Sequence, residues 1–387
     1  MKIIHYCQHV LGMGHFFRSL EIARALDKEE VLFVAGGSKP DQDLPLNIKY
    51  IQLPGLCMDE KFGGLMTTDP SLDLEEVKKN RATSLLNIFR QEKPDIFLIE
   101  LFPFGRKAFR FELLPVLDAI KDGQLGNIKV ICSLRDILVE RDDGGKHEKR
   151  VVKYLNKYFN LLLIHSDPQI ASLDETFQLL NQITIPYSYT GFTARKPDKG
   201  VRESIRKSLG IAVNEKLLIA SAGGGKVGKP LMEAVFKSFS CNSPEKTKLL
   251  MLTGPFYDQE NFNILYNSSK NFKNITVKKF ASDFTNLLTA ADAMISMAGY
   301  NTCMDILTSG IPTAVLPFAH NHEQRMRAEK LAKHIPLRVL ETKDLVASSM
   351  DNVINALLMS CRTSQCHAID LDGANTSADI IREYGKN

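Results

Sequence analysis

An apolar run, Leu217-Leu218-Ile219-Ala220, leads into Ser221-Ala222-Gly223-Gly224-Gly225-Lys226-Val227-Gly228-Lys229-Pro230 and then into an amphipathic stretch from Leu231 to Phe239. A strand, a glycine run and a helix start in that order can hold phosphate. Glycines let the backbone approach a ligand closely and turn N–H groups toward it, and a helix N-terminus adds positive potential. Pro230 suits the first helical turn, where its missing N–H costs nothing. Gly223, Gly224, Gly225 and Lys226 are therefore candidate phosphate ligands, set against the simpler reading of a tight turn with no ligand. Gly223 to Lys229 also fits G-x-x-x-x-G-K, but Pro230 stands where a P-loop needs Ser or Thr for Mg2+, which argues against an NTPase. His320, His322 and Glu323 are metal-ligating types, yet they crowd one loop without a partner motif, so no metal site is expected.

These residues need elements to position them. Ile3 to Tyr6, Val31 to Ala35, Ile96 to Ile99, Val130 to Cys132 and Leu161 to His165 read as strands, with helical periodicity over Ser19 to Leu26 and Glu75 to Arg90. That alternation predicts a parallel sheet covered by helices. It stops near Thr190-Gly191-Phe192 and passes through the polar Arg195-Lys196-Pro197-Asp198-Lys199-Gly200. A second series follows: strands at Leu217 to Ala220, Lys248 to Leu252, Ile275 to Lys278, Ala293 to Ser296 and Thr313 to Leu316, and helices at Leu231 to Phe239, Phe284 to Ala290, Thr302 to Leu307 and Glu323 to Ala332. The fold class expected is α/β, with two Rossmann-like domains facing across a cleft, where ligands of such sheets bind.

Composition narrows the class further. The 387 residues suit two domains, and 44% hydrophobic with 24% charged residues is ordinary for a globular chain. A net charge of +4 without a basic arm gives no reason to expect nucleic acid as a partner. The seven cysteines form no C-x-x-C pair and are odd in number, which speaks against a disulfide framework and for a reducing cytoplasm. Lys2-Ile3-Ile4-His5-Tyr6 turns polar too soon for a signal peptide, and no apolar run approaches the ~20 residues of a membrane span. A cytoplasmic location is expected, with peripheral contact at the inner membrane surface left open.

The most specific segment runs Ala-Asp-Ala-Met-Ile-Ser-Met-Ala-Gly-Tyr-Asn-Thr-Cys-Met-Asp-Ile-Leu to Leu307, then Ser309-Gly310-Ile311-Pro312-Thr313-Ala314-Val315-Leu316-Pro317 and His320-Asn321-His322-Glu323-Gln324. It resembles the nucleotide-sugar signature of GT-B glycosyltransferases, closest to the family 28-like enzymes that add N-acetylglucosamine to the lipid-linked peptidoglycan precursor and to a related group of predicted glycosyltransferases. The resemblance implies that Ser296, Gly299 and Thr302 belong to the donor signature, that Asp305 takes the ribose hydroxyls, and that Glu323 and Gln324 bind donor sugar hydroxyls, with Asn301 and His320 also donor-binding. The physics agrees: Thr302 near a helix start can direct N–H groups and its hydroxyl at phosphate, and Asp305 follows on the same face. Asp305 stands where the family usually has Glu, and Arg325 where a second Gln is common. The implied donor is a nucleotide diphosphate sugar, uridine-linked, with no cofactor.

The same resemblance extends to Leu11-Gly12-Met13-Gly14-His15-Phe16-Phe17-Arg18, which is similar to the family's Gly-x-Gly-His turn. It implies that Gly14 passes near the donor and that His15 takes the acceptor's proton, oriented by Glu100 at the end of the Ile96 strand. A neutral imidazole suits that task, and a carboxylate on its other nitrogen fixes the tautomer. The domains implied are 1–193 for the acceptor and 194–368 for the donor, with 369–387 a C-terminal helix packing back on the first. The expected activity is inverting, metal-independent transfer to an acceptor hydroxyl on a glycan, a lipid-linked molecule or a small molecule. A nucleotide-sugar hydrolase or epimerase of the same fold and a non-catalytic nucleotide-binding module are the alternatives. Asp41-Gln42-Asp43 and Asp370-Leu371-Asp372 look like metal-binding D-x-D pairs but lack the strand context. Residues 57–73 and 135–150 read as candidate lids, and the aromatic and basic stretch Leu101 to Phe111 as a helix start burying its aromatics.

Overall fold

The structure, a computed structural model, describes every residue except 9–13, 38–43, 59–63, 139–142, 282, 320, 363–368 and 387. It comprises two compact units, Met1–Thr193 with Asp370–Asn387, and Ala194–Ile369. Gly12, Asp41, Asp43, His320 and parts of both candidate lids lie outside the described residues.

The first unit contains β1 (Lys2–Cys7), β2 (Glu30–Ala35), β3 (Ile48–Gln52), a small antiparallel pair β4 (Leu56–Met58) and β5 (Leu65–Thr67), then β6 (Ile96–Glu100), β7 (Lys129–Arg135), β8 (Leu161–His165) and β9 (Tyr187–Tyr189). Its helices are α1 (Gly14–Ala25), α2 (Leu74–Glu92), α3 (Arg110–Lys121) and α4 (Lys146–Tyr158). Apart from the small pair, the strands form one parallel sheet in the order β3-β2-β1-β6-β7-β8-β9. The apolar runs follow from burial on both faces, as parallel sheets require. Tyr6, Leu32, Val34, Phe97 and Ile99 pack on one side with Val77, Phe89 and Leu113 of α2 and α3. Ile3, Cys7, Phe33, Leu98 and Leu163 pack on the other with Phe16 and Leu20 of α1. Phe102, Phe104 and Phe109 are buried in the first of these cores, so the aromatics after β6 pack inward.

The second unit holds α5 (Arg202–Ser208), β10 (Lys216–Ser221), α6 (Lys229–Cys241), β11 (Thr247–Leu252), α7 (Gln259–Ser269), β12 (Ile275–Lys278), α8 (Phe284–Ala290), β13 (Ala293–Met297), α9 (Tyr300–Ser309), β14 (Thr313–Leu316), α10 (His322–Leu331), β15 (Leu337–Val339) and α11 (Ala347–Met359). Its strands form a parallel sheet in the order β12-β11-β10-β13-β14-β15. The chain then returns to the first unit as α12 (Gly373–Tyr384), whose Ala378 and Ile381 join the core on the α1 side. Arg382 clamps it there, donating to Glu29, to Asp27 and to the carbonyl of Ala25.

Both sheets reverse direction of growth once. In the first the reversal falls between β1 and β6, and in the second between β10 and β13. At such points the loops leaving adjacent strands diverge and open a crevice at the strands' carboxyl ends.

One buried ion pair ties the first unit together. Arg81 of α2 and Glu112 of α3 are both fully buried, Arg81 Nε sits 2.7 Å from Glu112 Oε2, and Tyr6 donates to the same carboxylate. Arg81 also reaches Gln8 Oε1 at 3.0 Å and the carbonyl of Pro54 at 2.5 Å. Removing one partner strands the other charge away from water. Arg81→Ala should therefore lower unfolding stability by about 3–5 kcal/mol in a urea titration. A loss below about 1 kcal/mol would mean that water reaches Glu112.

Candidate active site

At the reversal point of the first sheet, α1 starts just after β1 and places His15 in its first turn, while Glu100 closes β6. The strand pairing of β1 with β6 brings them together: His15 Nδ1 lies 2.6 Å from Glu100 Oε1. Glu100 is fully buried, whereas the His15 side chain keeps 25% of its surface exposed. Arg18, one turn along α1, donates to Glu100 Oε1 at 2.6 Å. Arg106 Nη2 approaches Glu100 Oε2 at 3.3 Å.

The backbone after Glu100 bends sharply to allow this. Leu101 and Arg106 adopt left-handed conformations, with φ of 65° and 57°. Such conformations cost non-glycine residues energy, and they persist only where the surroundings enforce them. Here they turn the chain so that the Arg106 guanidinium comes back onto the carboxylate six residues earlier.

Charge follows from this geometry. Burial opposes ionisation of Glu100, but His15, Arg106 and Arg18 together outweigh it and hold the carboxyl well below the usual range. His15 is pushed down to about 3, first by burial; Glu100 pulls it up, while Arg106 and Arg18 push it down. The imidazole is therefore neutral near pH 7. An ionised carboxylate only accepts, so the 2.6 Å contact assigns the proton to Nδ1, donated to Glu100 Oε1. That leaves the lone pair on Nε2, which makes no hydrogen bond among the described residues. A neutral histidine with a carboxylate behind it and an open Nε2 can take a proton from a hydroxyl.

Arg18 and Arg106 were not among the residues expected from sequence to serve this site. Arg18 carried a usable signal, since three positions from His15 on a helix puts it on the same face. Arg106 carried none, because its role depends on the bend after β6.

In the second unit the glycine run forms the turn between β10 and α6. Gly223 and Gly225 have positive φ, 62° and 93°. The Gly223 N–H turns inward to Ser221 Oγ at 3.2 Å and the Gly225 N–H to the Ala222 carbonyl at 3.1 Å, so these two donors hold the turn itself. Gly224 differs. Its φ is ordinary, a methyl group there would meet only Phe256 at 3.8 Å, and its N–H makes no hydrogen bond among the described residues. Lys226 is exposed beside it. The α6 N-terminus at Gly228 has no side-chain cap.

Ser296, one residue before the end of the neighbouring strand β13, has a buried hydroxyl without a partner among the described residues. Gly299 then opens α9, again with no side-chain cap, and the side chains of Asn301 and Thr302 make no hydrogen bonds among the described residues. Two uncapped helix N-termini thus follow adjacent parallel strands, β10 and β13. Unsatisfied N–H groups concentrated in this way attract an anion.

Three further expected donor ligands lie on α9 and α10. Asp305 is only 2% exposed, with Oδ2 bound by Arg195 at 2.8 Å and Oδ1 by Thr285 at 3.1 Å. The carboxylate anticipated for ribose hydroxyls is taken up by protein donors, and burial pushes its pKa up. Glu323 is buried in the first turn of α10. Gln324 Oε1 accepts from the Phe318 N–H at 3.0 Å, and its amide nitrogen makes no hydrogen bond among the described residues. Asp370 of the second D-x-D pair accepts from the Asp372 N–H at 2.9 Å, as a turn residue does. Among the described residues no group of three or more His, Cys, Asp or Glu is gathered to hold a metal, and no helix is long and apolar enough to cross a membrane.

Residues 219–382 match the sequence model of the glycosyltransferase family 28 C-terminal domain. The chain is 23% identical over 189 residues to the UDP-N-acetylglucosamine--N-acetylmuramyl-(pentapeptide) pyrophosphoryl-undecaprenol N-acetylglucosamine transferase of Bacillus cytotoxicus, 47% of this chain and 51% of that one. The chain thus spans about half the length of such relatives. Among solved structures, MurG of Acinetobacter baumannii aligns with a TM-score of 0.56 and 16% identity, covering 99% of this chain and 100% of that one. A UDP-GlcNAc 2-epimerase from Methanocaldococcus jannaschii aligns with a TM-score of 0.60 and 11% identity, over 100% of both chains. The fold is GT-B, with a family 28-like C-terminal domain.

The buried histidines of the first unit give the protein a pH signature. His5 and His165 are fully buried, and burial pushes each pKa down to about 3. Between that value and the ordinary 6.5 the unfolded chain binds protons that the folded chain refuses, so stability falls as pH drops through this window. From pH 7 to pH 5 each should cost about 2 kcal/mol, and His15 adds less in the same direction because it is partly exposed. Urea titrations at the two pH values check this; equal unfolding free energies would show that the histidines protonate in the folded state.

Proposed function

We propose that this chain is an inverting glycosyltransferase that needs no metal and moves a sugar from a nucleotide diphosphate donor, uridine-linked by family resemblance, to an acceptor hydroxyl. The observation that carries the reading is the His15–Glu100 contact of 2.6 Å, which leaves a neutral imidazole with Nε2 open. His15 Nε2 takes the acceptor's proton as its oxygen attacks the anomeric carbon from the face opposite the phosphate. The bond between that carbon and the phosphate oxygen breaks, and its electron pair leaves on the nucleoside diphosphate. Glu100 stabilises the imidazolium that forms, and the proton later passes to water.

The developing phosphate charge is assigned to the Gly224 N–H, Lys226 and the first turn of α9, where fixed N–H dipoles can do what a cation does elsewhere. Ser296, Asn301 and Thr302 supply hydroxyl and amide groups to the same diphosphate, and the Gln324 amide nitrogen meets a sugar hydroxyl. Gly14, which opens α1 next to His15, is assigned to the donor as well. The acceptor remains a glycan, a lipid-linked molecule or a small molecule, and a lipid-linked one would put the reaction at a membrane face. Support for transfer comes from the family 28 match and the peptidoglycan-enzyme relative. Epimerases share the fold, so acceptor dependence is the discriminating property.

Thermal-shift measurements with the diphosphates of uridine, thymidine, guanosine and cytidine should show stabilisation by one of them. Silence from all would remove the donor reading. With the donor found, nucleotide release should require an acceptor and survive a chelator; release without acceptor would favour the hydrolase or epimerase. His15→Ala should cut transfer about 100-fold to 10,000-fold with little change in donor affinity, and undiminished transfer would remove His15 as the base. Gly224→Ala should leave the melting temperature nearly unchanged yet weaken the donor about tenfold, because its methyl group meets ligand rather than protein. Wild-type affinity in that variant would place the phosphate elsewhere.

A further inference from the structure

The turn that follows β11 is built against the glycine run. Gly254 has φ of 88°, and a methyl group on it would lie 2.3 Å from the Gly223 carbonyl oxygen, 2.6 Å from the Gly224 carbonyl carbon and 2.7 Å from the Gly225 nitrogen. The Gly254 N–H donates to the Lys279 carbonyl at 2.7 Å, and the Phe256 N–H donates to the Gly224 carbonyl at 2.9 Å. Reciprocally, a methyl group on Gly225 would fall 2.5 Å from the Thr253 carbonyl oxygen. The loops after β10, β11 and β12 are thus joined edge to edge by backbone alone, and no atom can be added at the join.

The planarity of the peptide group turns this contact into a direction. In a trans peptide the C=O of one residue and the N–H of the next point opposite ways. The Gly223 oxygen lies against Gly254, so the Gly224 N–H must point away from the β11 turn, out of the loop. Of the three N–H groups of Gly223 to Gly225, it is the one that makes no hydrogen bond among the described residues. We infer that Gly254, thirty residues downstream of the loop, is a positioning residue that fixes the Gly223–Gly224 peptide with its N–H presented to an anionic ligand. The ligand assignment rests on the donor reading above; the peptide orientation does not. Any side chain at 254 pushes the Gly223 oxygen aside and rotates the donor with it.

Two substitutions separate the effect from ordinary strain. Gly254→Ala adds both the methyl group and an unfavourable φ, whereas Gly254→Asn tolerates the left-handed region better and retains mainly the steric clash. Gly210→Ala serves as the control, because Gly210 has φ of 65° but only the far end of Lys248 nearby, at 4.0 Å. Binding of uridine diphosphate by calorimetry and amide hydrogen exchange at Gly225 and Phe256 are measured on the full chain. Both Gly254 variants should exchange faster at those two amides and bind about tenfold more weakly or worse, with KM for the donor rising more than kcat falls. Gly210→Ala should match the wild type in both. Unchanged exchange and affinity in Gly254→Asn would overturn the inference, as would equal losses in Gly210→Ala. If the wild type binds no nucleoside diphosphate, the donor reading fails, and the exchange rates alone decide whether Gly254 sets the loop.

Discussion

A single buried carboxylate organises the first unit's reactive end. Glu100 has no access to water, and an isolated charge there would be costly enough to be protonated instead. It stays ionised because His15, Arg18 and Arg106 surround it, two from α1 and one from the bend after β6. Each of those elements is constrained in turn. The α1 helix is held by its apolar face on the sheet and by Arg382 at its far end, and the bend after β6 spends two left-handed residues to bring Arg106 home. The chemistry proposed for His15 follows from this arrangement, since burial with Arg106 and Arg18 keeps the imidazole neutral and Glu100 chooses its tautomer.

The second unit solves the opposite problem. Its sheet reversal gathers the Gly224 N–H and the Ser296 hydroxyl, which have no partner among the described residues, and the N-termini of α6 and α9, which have no side-chain cap. A buried hydroxyl without a partner costs stability, and Ser296 beside these open donors is the feature that supports the proposed ligand. The polar side chains that could have quenched these donors are occupied with protein. Asp305 is bound by Arg195 and Thr285, and Gln324 spends its oxygen on the backbone of Phe318.

Much of the architecture was legible in the chain. Apolar runs buried on both faces gave most of the parallel strands, and Thr313–Leu316 and Phe284–Ala290 begin and end where periodicity places them. Weaker elements escaped. The outer strands β3, β9 and β15 are short or half exposed, so their residues alternate with polar ones or are too few to form a pattern. The histidine and the carboxylate behind it, the glycine run and the α9 start were also readable, because their residue types carry chemistry by themselves.

What the sequence determined was therefore the local material: two series of strands and helices, and the residues at their ends able to bind phosphate or move a proton. Tertiary structure decided the partnerships. Arg106 reaches Glu100 only through a bend, Asp305 is claimed by an arginine 110 positions away, and Gly254 matters only because its turn lies against another loop. The reason is physical. Periodicity reports which face of an element is buried, whereas strand order and register determine which distant backbone and side-chain atoms come into contact, and neither of those is written in the residues that make the contact.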